Sequence, residues 1–307
     1  MQIYVALSSI NDTVRHQGLS LSQVPAFLTQ HGFAGVEISD RHLMNRDATS
    51  IEQFRQSCTD MNCGLIFDVN CDLTYADADR WQQEINHVQK MLGIAHGLGA
   101  NVVRVCLGGQ SFSIQKLLKR RRSINRGQDR TGAPRPGKIA RSLLLNRWVL
   151  RMAHTVRTNM PSTVPQLKEK MTRATMALKR IMPTAARYDL PVAIENHWGI
   201  STRPENILRV IDAVDSPWLG TCPDFGNFPR DVDRYEGLDI LAPKALHVQA
   251  KSAHFDRDGE ETRIDYRRAL RIMRDHGYDG TFAIEYEGGG RDLEGCLRTR
   301  DLITKHW

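Results

Sequence analysis

The sequence predicts an α/β chain folded as a single-domain (β/α)8 TIM barrel, and three observations carry that expectation. Short apolar runs rich in β-branched residues alternate with longer segments of helical period, the signature of strand–helix units. Eight such units are present, where an open doubly wound sheet more often has five or six. They occupy roughly 265 of the 307 residues once one strongly basic stretch is set aside, which is a barrel's length.

The units follow one another in order. IYVALSS (3–9) precedes a helical pattern at 20–31, AGVEIS (34–39) one at about 50–61, and CGLIFDVN (63–70) a long one near 77–98. NVVRVCLGG (101–109) leads into the basic stretch and then a helix at about 165–188. LPVAIEN (190–196) precedes 204–214, LGTCPD (219–224) a short helix, ALHVQA (245–250) a helix at 265–276, and TFAIEYEG (281–288) one at 292–304. Asp265, and Ser201 or Thr202 ahead of Arg203-Pro204-Glu205, are the expected N-caps, since short oxygen-bearing side chains satisfy the free amides of a first turn. No GxGxxG or GxxxxGK[ST] motif follows a strand, and Gly288–Gly290 comes after the last one. A nicotinamide or P-loop cofactor is therefore not expected.

Composition narrows the class further. With 41% hydrophobic and 25% charged residues the chain can bury a large core. No window holds 18 consecutive apolar residues, so no membrane span is expected, and the opening MQIYVALSS carries no basic leader, which makes the cytoplasm the expected location. Cys58, Cys63, Cys71, Cys106, Cys222 and Cys296 include no CxxC pair and read as reduced thiols, mostly in the core.

The net charge of +7 is local. Residues 116–157 carry thirteen Lys and Arg against the single acid Asp129, whereas elsewhere 34 acids outnumber 29 bases. This insert, about 112–162 within the 1–307 barrel, begins with KRRR, passes through GQDRTGAPRPG, and then places Leu144, Trp148 and Met152 at helical spacing. A loop followed by a basic amphipathic helix is expected: a helix packed on the barrel, a lid, a surface for a second copy or a small partner subunit, or a nucleic-acid or membrane attachment.

In a barrel of this kind the chemistry lies at the C-terminal ends of the strands. Strand five ends at Glu195, strand six at Asp224, strand seven contains His247 and strand eight contains Glu285. Three carboxylates and an imidazole converging on one mouth call for a cation. Oxygen ligands with one imidazole suit a hard divalent ion better than a structural, thiolate-bound zinc.

IENHWG, CPDFGNF, LHVQAK and DYRRALRIMRDHGYDGTFAIEYEG together resemble the C-terminal half of the xylose-isomerase-like barrel family, which holds sugar isomerases and epimerases, inosose dehydratases and apurinic endonucleases. The resemblance implies one divalent cation, Mn2+ first and Mg2+, Co2+ or Zn2+ as alternatives, held by Glu195, Asp224, His247 and Glu285. It further implies that Glu195 and Glu285 move protons on opposite faces of a carbohydrate substrate. The implied activity is isomerisation or epimerisation of a sugar or polyol derivative, phosphorylated or not, through an enediolate. The same intermediate also supports a lyase or dehydratase, or cleavage of a C-glycoside with a small partner subunit.

The pattern departs from the family in places. His247 is followed by Gln249 and Lys251 rather than a Lys–Asp pair, Asn227 stands where hexulose epimerases keep a His, and Ser201 where they keep a second Glu. His197, Trp198, Lys251 and Arg291 are the candidate substrate contacts. The trinuclear set of the endonucleases is missing, with Asp68 and Asn70 on strand three, Leu107-Gly108-Gly109 after strand four and Asp256 followed by Asp258 after strand seven. Nucleic acid is thus not an expected substrate, and a barrel that only binds is the non-catalytic alternative.

Overall fold

A computed structural model of the chain describes residues 1–44, 47–109, 164 and 166–307. The basic insert, with its expected helix and partner surface, lies outside the described residues. The described residues form eight strands: β1 (Gln2–Ala6), β2 (Gly35–Ser39), β3 (Gly64–Val69), β4 (Val102–Val105), β5 (Val192–Glu195), β6 (Leu219–Cys222), β7 (Val248–Ser252) and β8 (Thr281–Tyr286). All are parallel, in the order β6-β5-β4-β3-β2-β1-β8-β7. The seam between β6 and β7 is joined by two parallel bridges, Thr221 with Ala245 and Asp224 with Gln249, which nearly close the sheet into the expected (β/α)8 barrel.

Helices flank the strands: α1 (Asn11–His16), α2 (Val24–Gln30), α3 (Asp40–Leu43), α4 (Ala48–Asp60), α5 (Ala78–Leu98), α6 (Leu167–Arg187), α7 (Pro204–Val214), α8 (Arg234–Leu241), α9 (Tyr266–Asp275) and α10 (Asp292–His306). Asp265 caps α9 as expected, its carboxylate accepting from Arg268 N at 2.9 Å. Ser201 and Thr202 do not cap α7. Both lie in a 3-10 turn, their hydroxyls turned back to the carbonyls of Trp198 and Gly199. Arg203 is the cap instead, because a residue before proline is held extended and Pro204 then starts the helix without needing an amide partner.

Two layers of side chains fill the barrel, and the two-residue repeat of a strand explains both. A small apolar cluster of Tyr4, Ile66, Val102, Ala193, Cys222 and Ala283 is separate from the main strand–helix core. Tyr4 lies so close to Gly35 and Gly64 that a β-carbon at either position would collide with its ring. Two residues further along β3, β4, β5 and β8, on the same face, come Asp68, Arg104, Glu195 and Glu285. The apolar layer is thus a floor, and the next layer toward the C-terminal ends is ionic.

Strand β7 is displaced from the expected 245–250 to 248–252. The 3-10 turn Ala242–Lys244 contains Pro243, and Ala245 beyond it makes only a bridge, so the ladder starts later and runs further. His247 therefore precedes β7, while Lys251 lies within it opposite Glu285.

Candidate active site at the barrel mouth

Glu195, Asp224 and Glu285 converge: each offers a carboxylate oxygen within 4.8 Å of the other two. Both oxygens of Glu195 are held, Oε1 by Asn227 Nδ2 at 2.9 Å and Oε2 by the Arg104 guanidinium. Asp224 follows β6 on a turn in which its Oδ1 accepts the amides of Gly226 and Asn227 at 2.6 and 2.8 Å. Asn196 fixes that turn by accepting Asp224 N at 2.7 Å. Asp224 Oδ2 makes no hydrogen bond and faces Lys251 Nζ at 3.2 Å. Burial, reinforced by the charges of Glu285 and Glu195, pushes the Asp224 carboxyl well above the usual range, against the pull of Lys251.

His247 does not join the three. It is fully buried four residues before Lys251, its Nε2 3.1 Å from Glu37 Oε2, and its Nδ1 has no hydrogen-bond partner. Gln249 Nε2 donates to the same Glu37 oxygen at 2.5 Å. The β7 side chain that reaches the level of the carboxylates is Lys251, with Nζ 2.7 Å from Glu285 Oε2, 2.9 Å from Asn227 Oδ1 and 3.3 Å from Glu287 Oε1.

Glu37 and Arg104, which the sequence had not singled out, complete the ionic layer with Asp68, named there only as an acid of strand three. Arg104 bridges Glu37 at 2.7 Å, Asp68 at 3.2 Å and Glu195. Burial works against its charge, but Asp68, Glu195 and Glu37 outweigh it and raise its pKa well above the ordinary guanidinium value. For Glu37, burial alone would raise the pKa, yet Arg104 and His247 hold it low. Asp68 goes the other way: burial, with Glu37 and Glu195 nearby, outweighs Arg104 and pushes it up to about 7. A signal for these residues was present, since a charge inside an apolar strand run, as in NVVRVC and AGVEIS, has to face the barrel interior.

A cavity of about 690 Å³ opens above this layer, lined by Glu37, Asp68, Arg104, Cys106, His197, Trp198 and Glu285 on the site side and by Ser39, His42, Asn70 and Tyr75 opposite. His197 and Trp198 are stacked, ring centroids 4.5 Å apart, and form one wall. Cys106 Sγ lies 3.4 Å from His197 Nδ1 and 3.6 Å from Glu195 Oε2, so Cys106, Glu195 and His197 make a second group of close donor atoms. Of the other substrate-contact candidates, Lys251 is in the site, whereas Arg291 is exposed, pairs with Glu294 and lines a separate hollow beside Tyr286. All six cysteines are free thiols and five are buried, as expected.

Residues 138–304 match the family model described as "Xylose isomerase-like TIM barrel". The chain belongs to this family. Among curated proteins, a 3-oxo-isoapionate decarboxylase from Pectobacterium atrosepticum is 25% identical over 141 residues, which is 46% of this chain and 48% of that one, so the match spans about half of each. Among solved structures, 3-keto-D-glucoside 4-epimerase from E. coli superposes with a TM-score of 0.67 at 13% identity, covering 99% of both chains. A protein named IOLI, solved with a bound zinc atom, superposes with a TM-score of 0.66 at 12% identity over 100% of this chain and 99% of its own. At these identities the superpositions establish the fold.

Proposed function

We propose that this member of the xylose isomerase-like family is a divalent-metal-dependent isomerase or epimerase of a sugar or polyol derivative, acting through an enediolate. The observation that carries the reading is the convergence of the Glu195, Asp224 and Glu285 carboxylates, of which Glu285 lines a cavity large enough for a monosaccharide derivative. A hard cation fits these donors. Among the described residues, the ion pairs of six carboxyl groups (Glu37, Asp68, Glu195, Asp224, Glu285, Glu287) run to Arg104 and Lys251, and buried Asp224 Oδ2 lacks a hydrogen bond. Glu195, Asp224 and Glu285 would hold the ion. When bound, it supplies polarisation of a keto oxygen and of the negative charge that gathers there.

The chain's own residues do the rest. Glu285, partly exposed to the cavity, removes a proton from the carbon beside the keto group, leaving the enediolate, and a carboxyl on the other face returns one. Glu195 is that second group. Asn227 and Arg104 fix its orientation. The stacked His197–Trp198 wall presents an apolar face to the C–H side of a sugar ring and keeps water from the intermediate. Epimerisation and isomerisation then differ in the carbon to which the proton returns.

A second reading, a lyase, is favoured by the decarboxylase among the relatives. Loss of carbon dioxide from a 3-oxo acid leaves its bonding electron pair on the same type of enolate, and one of the glutamic acids then delivers a proton to carbon. One experiment tests both. Protein loaded with Mn2+ is incubated in D2O with a panel of ketoses and 3-oxo sugar acids, and NMR follows deuterium entry next to the carbonyl. Deuterium uptake with retained carbon count supports the epimerase, release of CO2 supports the lyase, and neither across the panel overturns both. Glu285→Gln should lower either rate by about 10²–10⁴-fold with an unchanged circular dichroism spectrum, and full activity in that variant would remove Glu285 from the mechanism.

A further inference from the structure

Lys251 is not an ordinary rim lysine. Its side chain is 7% exposed, and its ammonium lies between two of the three convergent carboxylates, 3.2 Å from Asp224 Oδ2 and 2.7 Å from Glu285 Oε2. Long cationic side chains are buried this deeply only when fully paired. Backbone register puts it there: on β7 the inward residues follow one another every second position, and Lys251 is the one paired with Glu285. Its stem also has a dedicated path. A β-carbon on Gly226 would fall 2.5 Å from Lys251 Cδ, so a glycine is needed in the Asp224 turn to let the lysine pass.

Lys251 also has partners outside the three carboxylates. Asn227 Oδ1, at 2.9 Å, and Glu287 Oε1, at 3.3 Å, belong to residues lining a second cavity of about 520 Å³, which Lys251 also lines together with Arg230, Arg234 and Arg263. The ammonium is therefore paired with Asp224 and Glu285 and also with Asn227 and Glu287, of which Asn227 in turn donates to Glu195.

We propose that Lys251 and the divalent cation share one site. In the metal-free protein the Lys251 ammonium is the cation of Asp224 and Glu285. When the metal arrives it takes those carboxylates, and Lys251 shifts onto Asn227 and Glu287 at the edge of the second cavity. This inference rests on the metal-dependent reading above and adds to it a competitor built into β7. Because the two cations repel at this distance and contend for the same oxygens, Lys251 sets the metal affinity downward.

The test is direct Mn2+ titration of the purified full chain, following free Mn2+ by electron paramagnetic resonance, for the wild type and for Lys251→Met, Lys251→Gln and Glu287→Gln. Circular dichroism checks that each variant is folded, and the glutamine at 251 keeps a hydrogen-bonding side chain should methionine not be tolerated. Both Lys251 variants should bind Mn2+ about tenfold more tightly or better than the wild type. Glu287→Gln, which weakens the alternative position of the ammonium, should bind it several-fold more weakly.

The outcomes separate the two claims. An unchanged or weaker affinity in both Lys251 variants, with the wild type still binding, overturns the shared site and leaves the metal-dependent reading standing. Binding in the Lys251 variants but not in the wild type supports the shared site and overturns metal dependence of the native protein. No binding in any variant overturns both. An unchanged or tighter affinity in Glu287→Gln overturns the shift of Lys251 onto its second set of partners.

Discussion

Three acidic residues in one layer of the barrel meet three different fates. Glu37 has Arg104 and His247 on it and stays ionised, Asp224 has Lys251 against burial and two like charges, and Asp68 shares Arg104 with two stronger competitors. Because the Asp68 carboxyl is pushed up to about 7, the folded chain retains a proton that the unfolded chain releases near 4. The folded state binds more protons in that interval, so the Asp68 contribution makes stability fall as pH rises from about 4 to about 7. Asp68→Asn should remove that slope. Urea midpoints at pH 5, 6, 7 and 8 should show the variant gaining on the wild type by a few kcal/mol toward pH 8, and a constant difference across the series would contradict the assignment.

At the scale of elements, β7 and the helix after it do separate work. The strand delivers Gln249 and Lys251 to the interior, while α9 braces it from outside, with Tyr266 donating to the Lys251 carbonyl at 2.8 Å. The N-terminus of α9 depends on Asp265, whose carboxylate takes the Arg268 amide. Replacing it with alanine should cost about 1 kcal/mol of stability, read as a lower urea midpoint with the slope of the transition unchanged. Since the cap lies on the outer side, the Mn2+ affinity should stay at the wild-type value. A variant as stable as the wild type would mean that the first turn is satisfied in some other way.

Over the whole molecule the barrel is not uniformly fastened. Adjacent strands elsewhere share three to five paired positions, but β6 and β7 meet only through Thr221–Ala245 and Asp224–Gln249. The amides of Phe225, Leu246 and Gln249 carry that seam, bonding to the carbonyls of Gln249, Thr221 and Pro223 at 2.9–3.1 Å. Asp224 and Lys251 sit beside it. In the metal-free protein these amides should exchange with solvent faster than those of the β2–β3 ladder, and Mn2+ should slow them selectively, because ligands drawn from both sides of a weak seam close it. Equal protection around all eight seams would contradict the picture.

Much of this protein was written along the chain. The strand–helix alternation gave eight units whose helices lie within a few residues of their expected limits, and the polar ends of IEN, CPD and AIEYEG identified three residues that do converge. Local pattern suffices for such features because hydrophobic period and strand-end position are properties of a few neighbouring residues. What tertiary structure alone decided is which charges meet. A three-residue difference in where β7 begins puts Lys251 rather than His247 beside the carboxylates, and Arg104 and Glu37, 67 residues apart in sequence, form one network because β2, β3 and β4 are adjacent in the barrel. The energies of buried charges depend on distances between strands, and those distances exist only once the barrel has closed.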